Sequence, residues 1–152
     1  KWLEMMKNKL GIFEEEDKDH TLIQNLLSWM KAHKVDYTNT FCYLMEQKIG
    51  NSEIYEDTDF VNWKIKWKDR LKRSQRSKVE ITSLMRSVNP IVIPRNHKIE
   101  EILHDAETKG DYSSLKKLLK FVKYPYLFQE GISIFQESSG LTYREYKTFC
   151  GT

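Results

Sequence analysis

Along most of this chain apolar residues return every three to four positions with polar residues between them, the signature of amphipathic helices. Trp2, Leu3, Met6 and Leu10 form a first short stripe, and Gly11 is placed to take the left-handed conformation that ends a helix. After the acidic run Glu14 to Asp17, the spacing predicts a helix capped by Asp19 whose Leu22, Ile23, Leu26, Leu27 and Met30 share a face. A third helix is expected from an Asp36 cap through Tyr37, Phe41, Leu44 and Met45 to Ile49, before Gly50-Asn51-Ser52 turns the chain. A fourth starts near Thr58 and aligns Phe60, Trp63, Trp67 and Leu71. Ser77 and Glu80 have capping-box spacing for a fifth, which carries Ile81, Leu84, Met85 and Val88.

Asn89-Pro90 stops that helix, because proline lacks the amide donor and pushes its predecessor toward extended backbone. Ile91 to Pro94 reads as a short extended connector. Asn96 is expected to cap a sixth helix, with Ile99, Ile102, Leu103 and Ala106 inward and Gly110 at its end. Asp111 opens a seventh with Leu115, Leu118, Leu119 and Val122, so the pair forms a helical hairpin around Lys109-Gly110-Asp111. Past Pro125 the periodicity dissolves. The expected fold is therefore all-α: an irregular bundle of about six to seven helices over 1–125, then a loop-rich tail over 126–152 ending in Cys150, with no internal domain boundary.

Composition narrows the class. At 152 residues, 39% hydrophobic and 31% charged, the chain is long enough to bury a core and too balanced in charge for a disordered tail. Its apolar runs, such as Ile91-Val92-Ile93, are far short of the ~18 residues that cross a bilayer. No secretory leader is visible, and two cysteines make no disulfide framework, so a cytoplasmic location without membrane contact is expected. Lys1 opens the chain with helical sequence already under way, which suggests a fragment of a longer protein.

Several chemistries lack their residues. A phosphate cradle needs clustered glycines, but those at 11, 50, 110, 131, 140 and 151 are isolated, so neither a P-loop nor a dinucleotide fingerprint is present. The glycine-rich loop and metal-binding Asp and Asn contexts of a kinase cannot be assembled from these helices. His20, His33, His97 and His104 have no metal-ligand spacing, and Glu100-Glu101 reads as solvated helix charge. Cys42, inside Phe41-Cys42-Tyr43, reads as a buried small hydrophobe. Cys150, close to the C-terminus, is a candidate accessible thiol.

Charge is concentrated in one place. Between Trp63 and Lys78, Lys64, Lys66, Lys68, Arg70, Lys72, Arg73, Arg76 and Lys78 oppose only Asp69, which makes the segment +7 and, in a chain of net charge +3, leaves −4 elsewhere. Phosphate neutralisation with aromatic stacking on Trp63 and Trp67 would suit nucleic acid. The 63, 67, 71 spacing instead turns the tryptophans to a buried face, which favours a solvated surface or an intramolecular acidic partner and makes nucleic acid the lesser reading. Of the eight cations, Lys64, Lys66, Lys68, Arg70, Lys72 and Arg73 are the candidate interaction surface.

In order along nearly the whole chain, Lys9-Leu10-Gly11, Asp36-Tyr37-Thr38-Asn39-Thr40-Phe41, Leu84-Met85-Arg86-Ser87-Val88-Asn89-Pro90, Arg95-Asn96, Ala106-Glu107-Thr108-Lys109-Gly110-Asp111 and the terminal Cys150 resemble the C-terminal region of the selenoprotein O, or YdiU-like, family. His97 stands where that family carries an aromatic, and the end reads Cys150-Gly151-Thr152 where relatives have Cys-Ser-Ser or selenocysteine. The resemblance implies a kinase-like domain N-terminal to Lys1, in a pseudokinase that binds ATP in an inverted pose with Mg or Mn and transfers AMP to Ser, Thr or Tyr hydroxyls of proteins. It carries no catalytic, nucleotide or metal residue onto this chain, which by itself is expected to be inactive, to hold no cofactor and to pack against that domain. It does imply a role for Cys150, matching the family's terminal Cys or selenocysteine, which is thought to pair with a cysteine of the kinase-like domain and couple activity to redox state. Two other readings compete: a basic helical module binding nucleic acid or an acidic protein through residues 63–78, and a purely structural domain.

Overall fold

A computed structural model describes residues 1–50 and 52–137, and among these the regular structure is helical: α1 Trp2–Lys9, α2 Asp19–Ala32, α3 Tyr37–Leu44, α4 Thr58–Arg73, α5 Lys78–Val88, α6 Asn96–Lys109 and α7 Ser113–Lys123. Short 3₁₀ turns add Glu53–Glu56 and Ile132–Phe135. No described helix is long and apolar enough to cross a membrane.

The expected caps hold where a side chain reaches the next free amides. Asp36 accepts from Asn39 N at 2.8 Å. Ser77 and Glu80 close a reciprocal capping box on α5. Asp57, which the sequence reading does not single out, accepts from the amides of Asp59 and Phe60 at the head of α4. Four expectations are corrected. Asp19 lies inside the first turn of α2 with its carboxylate buried, and Lys18 holds the cap position without a side-chain bond. Asn96 likewise begins α6 rather than capping it, and α7 starts at Ser113, whose amide donates to Asp111. Finally, α3 ends at Leu44 because Glu46 takes a left-handed φ of +60°, which stops it five residues before Ile49.

The chain forms two compact units, Lys1–Pro90 and Ile91–Thr152, the first ending at the helix-stopping proline. In the first unit α2 packs on α4, and α1 packs on both α2 and α5. Phe60 is fully buried at its centre, with ring centroids 4.5 Å from Trp29, 5.0 Å from Tyr55, 5.7 Å from Trp63 and 5.8 Å from Tyr43. Gly11 adopts φ +72°, and a Cβ there would fall 2.7 Å from Cγ2 of Ile81, so this glycine serves both the turn and the close approach of α1 to α5. Lys9 secures the same junction: its ammonium donates to Val88 O and Asn89 Oδ1 at 3.1 and 3.2 Å, while Asn89 Nδ2 donates back to Lys9 O at 2.9 Å. Half-burial holds the Lys9 pKa below the ordinary lysine value.

In the second unit α6 and α7 form the expected hairpin through Gly110 at φ +65°. Its core collects Ile91, Val92, Ile102, Ala106, Leu118 and Phe121. The segment expected to be loop-rich also contributes: Ile132 and Phe135 are buried, Phe135 packs 5.3 Å from the Phe121 ring, and buried Gln136 donates to Ile91 O at 2.9 Å. Leu103, expected inward, and Leu119 are more than half exposed. The buried stripe of this hairpin is narrower than the apolar one.

Candidate functional site

Helix α4 carries the charge concentration, and its two flanks treat their cations differently. Trp63 and Trp67 form the seam between them, buried and stacked in parallel with centroids 5.9 Å apart. Both indole N–H groups are occupied, Trp63 donating to Leu22 O at 2.8 Å and Trp67 to Leu10 O at 2.9 Å. The predicted burial therefore holds, and neither ring is a platform for bases.

On one flank the acidic segment between α1 and α2 meets the arginines. Arg70, only 3% exposed, donates from Nε and Nη2 to the two carboxylate oxygens of Asp19 at 2.7 and 3.1 Å, and from Nη2 to Glu14 O at 2.6 Å. Its Nη1 lies 3.2 Å from Glu16. Asp19 is 1% exposed and also accepts from Glu16 N at 2.9 Å. Arg73 grips Glu16 at 2.7 Å, and Arg76 reaches Glu14 at 3.0 Å while lying 4.8 Å over the Phe13 ring. The bond from Arg76 holds the Glu14 carboxyl below its ordinary pKa, and that from Arg73 does the same for Glu16. Arg70 is thus a buried structural residue, which removes it from the predicted interaction surface, and Arg73 is engaged within the chain.

The other flank opens into a groove of about 400 Å³ between the end of α3, α4 and the start of α5. Trp67, Leu71, Ile81 and Met85 line its apolar part. Lys64, Lys68, Lys72, Arg76 and Lys78 stand around it, with Glu46 as the sole acidic lining residue. Glu46 binds Lys78 at 2.8 Å, and that bond with the nearby charges of Lys78, Lys68 and Lys64 keeps its pKa low. Lys64 rests 4.4 Å over the Tyr43 ring and donates to its hydroxyl at 3.4 Å. Lys72 pairs with Asp69 on the exposed surface. Among the described residues Lys66 and Lys68 make no ion pair, and both are exposed. Tyr43, Glu46 and Met85 were missing from the predicted surface because nothing local in the sequence brings α3 and α5 beside the lysines.

The remaining candidates fall as follows. Cys42 is fully buried, as expected, with Sγ 3.8 Å from Pro90 O. Cys150 lies outside the described residues. His20 meets Trp2 edge-on and His33 lies against Trp29, while His97 and His104 belong to α6. Glu100 and Glu101 are exposed on α6. The most shielded phenol, Tyr55, bonds Thr40 at 3.1 Å, and burial pushes its pKa up to about 12.

Comparison with known proteins adds a second kind of observation. The profile of the family described as "Protein adenylyltransferase SelO" matches residues 1–123. The chain is 47% identical over its whole length to "Protein nucleotidyltransferase YdiU" of Pelagibacter ubique (strain HTCC1062). It is 41% and 42% identical over 151 residues to proteins of the same description from Bacillus cereus (strain ATCC 10987 / NRS 248) and Bacillus thuringiensis subsp. konkukian (strain 97-27). It spans 31% of the length of each of these relatives.

Proposed function

Because this chain belongs to the SelO family of protein adenylyltransferases, we propose that it is the helical, non-catalytic C-terminal part of an enzyme that moves AMP from ATP onto Ser, Thr or Tyr hydroxyls of proteins. One observation supports this division of labour. The most deeply held polar side chains, Arg70 with Asp19, Asn89 with Lys9, and Thr40 with Tyr55, are each spent on tying one segment of the chain to another. Such groups are fully satisfied and pre-empted, whereas a catalytic acid or base must keep an atom for its substrate. In this reading ATP, Mg or Mn and the nucleotide site reside in a kinase-like domain preceding Lys1, and the present helices act as scaffold and regulatory region.

Titration calorimetry of the 152-residue chain with ATP and Mg or Mn is expected to give no binding heat, and no AMP is transferred to a protein acceptor. The longer protein does both. Turnover by the short chain would place catalytic groups here and defeat the proposal.

Regulation is assigned to Cys150. Oxidised glutathione first forms a mixed disulfide with a cysteine of the preceding domain, releasing one glutathione. The Cys150 thiolate then attacks that cysteine's sulfur, the S–S bond to glutathione breaks, glutathione leaves as its thiolate and a Cys150 disulfide remains, so that activity follows thiol poise. Replacing Cys150 with Ser in the longer protein is expected to flatten the response of AMP transfer to a glutathione redox series. An unaltered response would take Cys150 out of the mechanism.

A further inference from the structure

The flank of α4 that faces away from the acidic segment is charged, apolar at its base and open. Lys64, Lys68 and Lys72 follow one another at four-residue intervals, so they form a line of about 12 Å along the helix. Arg76 and Lys78 continue the charge around the end of the groove, where they are held by Glu14 and Glu80 and by Glu46. Lys72, Arg76 and Lys78 are each paired with a carboxylate, so the surplus positive charge of the lining rests on Lys64 and Lys68. Lys64 sits over the Tyr43 ring and bonds its hydroxyl, and among the described residues neither it nor Lys68 makes an ion pair, although both lie near Glu46.

This contrast sets the groove apart from the arginine flank. There every cation has a carboxylate of the chain itself, so charge serves folding. Here surplus charge borders the half-buried Leu71 and Ile81, whose remaining surface favours an apolar side chain. From this juxtaposition the geometry points to a docking site for an acidic segment of a partner protein, one that inserts an apolar side chain between α4 and α5 and lays carboxylates along Lys64, Lys68 and Lys72.

A nucleic acid fits less well. Its bases need exposed aromatic faces, but Trp63 and Trp67 are buried with their N–H groups occupied, and Lys64 covers the Tyr43 ring. A groove of about 400 Å³ accommodates a few side chains rather than a duplex.

The test uses the 152-residue chain and a labelled peptide of about 12 residues that places Glu at four-residue intervals around a central Leu, with fluorescence anisotropy as readout. A Gln-for-Glu peptide and a single-stranded oligonucleotide of equal charge serve as comparisons. Binding of the acidic peptide is expected to weaken about tenfold in Lys68→Glu and to stay within about twofold in Lys66→Glu, which carries the same charge change outside the groove lining. Lys68→Gln, milder for the fold, is expected to fall between them. Preference for the Glu peptide over both comparisons completes the expected result. Equal loss in the Lys66 and Lys68 variants, tighter binding of the oligonucleotide, or no peptide binding at all would overturn the assignment.

Discussion

Replacing Arg70 with Met is expected to destabilise the first unit by about 3–5 kcal/mol, the loss seen when one partner of a buried ion pair is removed. The methionine fills much of the arginine's volume, but it leaves the Asp19 carboxylate, 1% exposed, without the Nε and Nη2 donors at 2.7 and 3.1 Å. It also strands Glu14 O, which accepts the 2.6 Å bond. Arg73→Met removes a cation of the same helix that stands in solvent, and should cost a small fraction of this. The double variant Arg70→Met with Asp19→Leu should recover a large share of the loss, since two matched apolar groups need no solvation. All four tryptophans, at 2, 29, 63 and 67, lie in the first unit, so their emission during urea unfolding reads that unit selectively. A midpoint for Arg70→Met no lower than that for Arg73→Met would refute the structural role given to the pair.

Phe60→Ala is expected to cost a comparable ~3–5 kcal/mol for a different reason, a void in the middle of an aromatic cluster. The ring is fully buried and touches the planes of Trp29, Tyr43, Tyr55 and Trp63, which come from α2, α3, the 3₁₀ turn and α4. Three other elements therefore lose their contact with this α4 ring at once. Collapse is resisted because Trp29 is anchored by a 2.7 Å bond to Asp57 and Trp63 by one to Leu22 O. Phe60→Leu should lose much less, as it refills most of the space. Equal unfolding midpoints for the Ala and Leu variants would show that the cluster repacks freely.

These two residues also show what could be read from the sequence. Phe60 belongs to a stripe with Trp63, Trp67 and Leu71 whose helical period is visible without any structure, and the capping pair Ser77 and Glu80 and the glycine ends at 11 and 110 are local signals of the same kind. Asp19 was misread because an acid at a helix start looks alike whether it caps its own helix or faces an arginine 51 residues away. The same blindness to distant partners hid the division of the basic segment. Arg70 and Lys68 are neighbours in sequence with the same formal charge, yet one is buried against Asp19 and the other borders an open groove. A short turn in the tail fitted the expectation for 126–152, but the burial of Ile132–Phe135 could not be read from four residues, since it depends on Phe121 and Ile91.

The junction of Lys9 with Asn89 has a bearing on how the first unit comes into being. The two residues are 80 positions apart, so α1 and α5, first and last of the unit, meet only when nearly its whole length is available. A contact of such separation incurs its loop-closure entropy before any neighbouring bond compensates it, which places it late in assembly. On a ribosome, α1 leaves the tunnel long before Asn89 does and can find α2 meanwhile, while the face that Gly11 keeps flat for Ile81 and Met85 waits uncovered. That face can close only after the chain through Asn89 has left the tunnel.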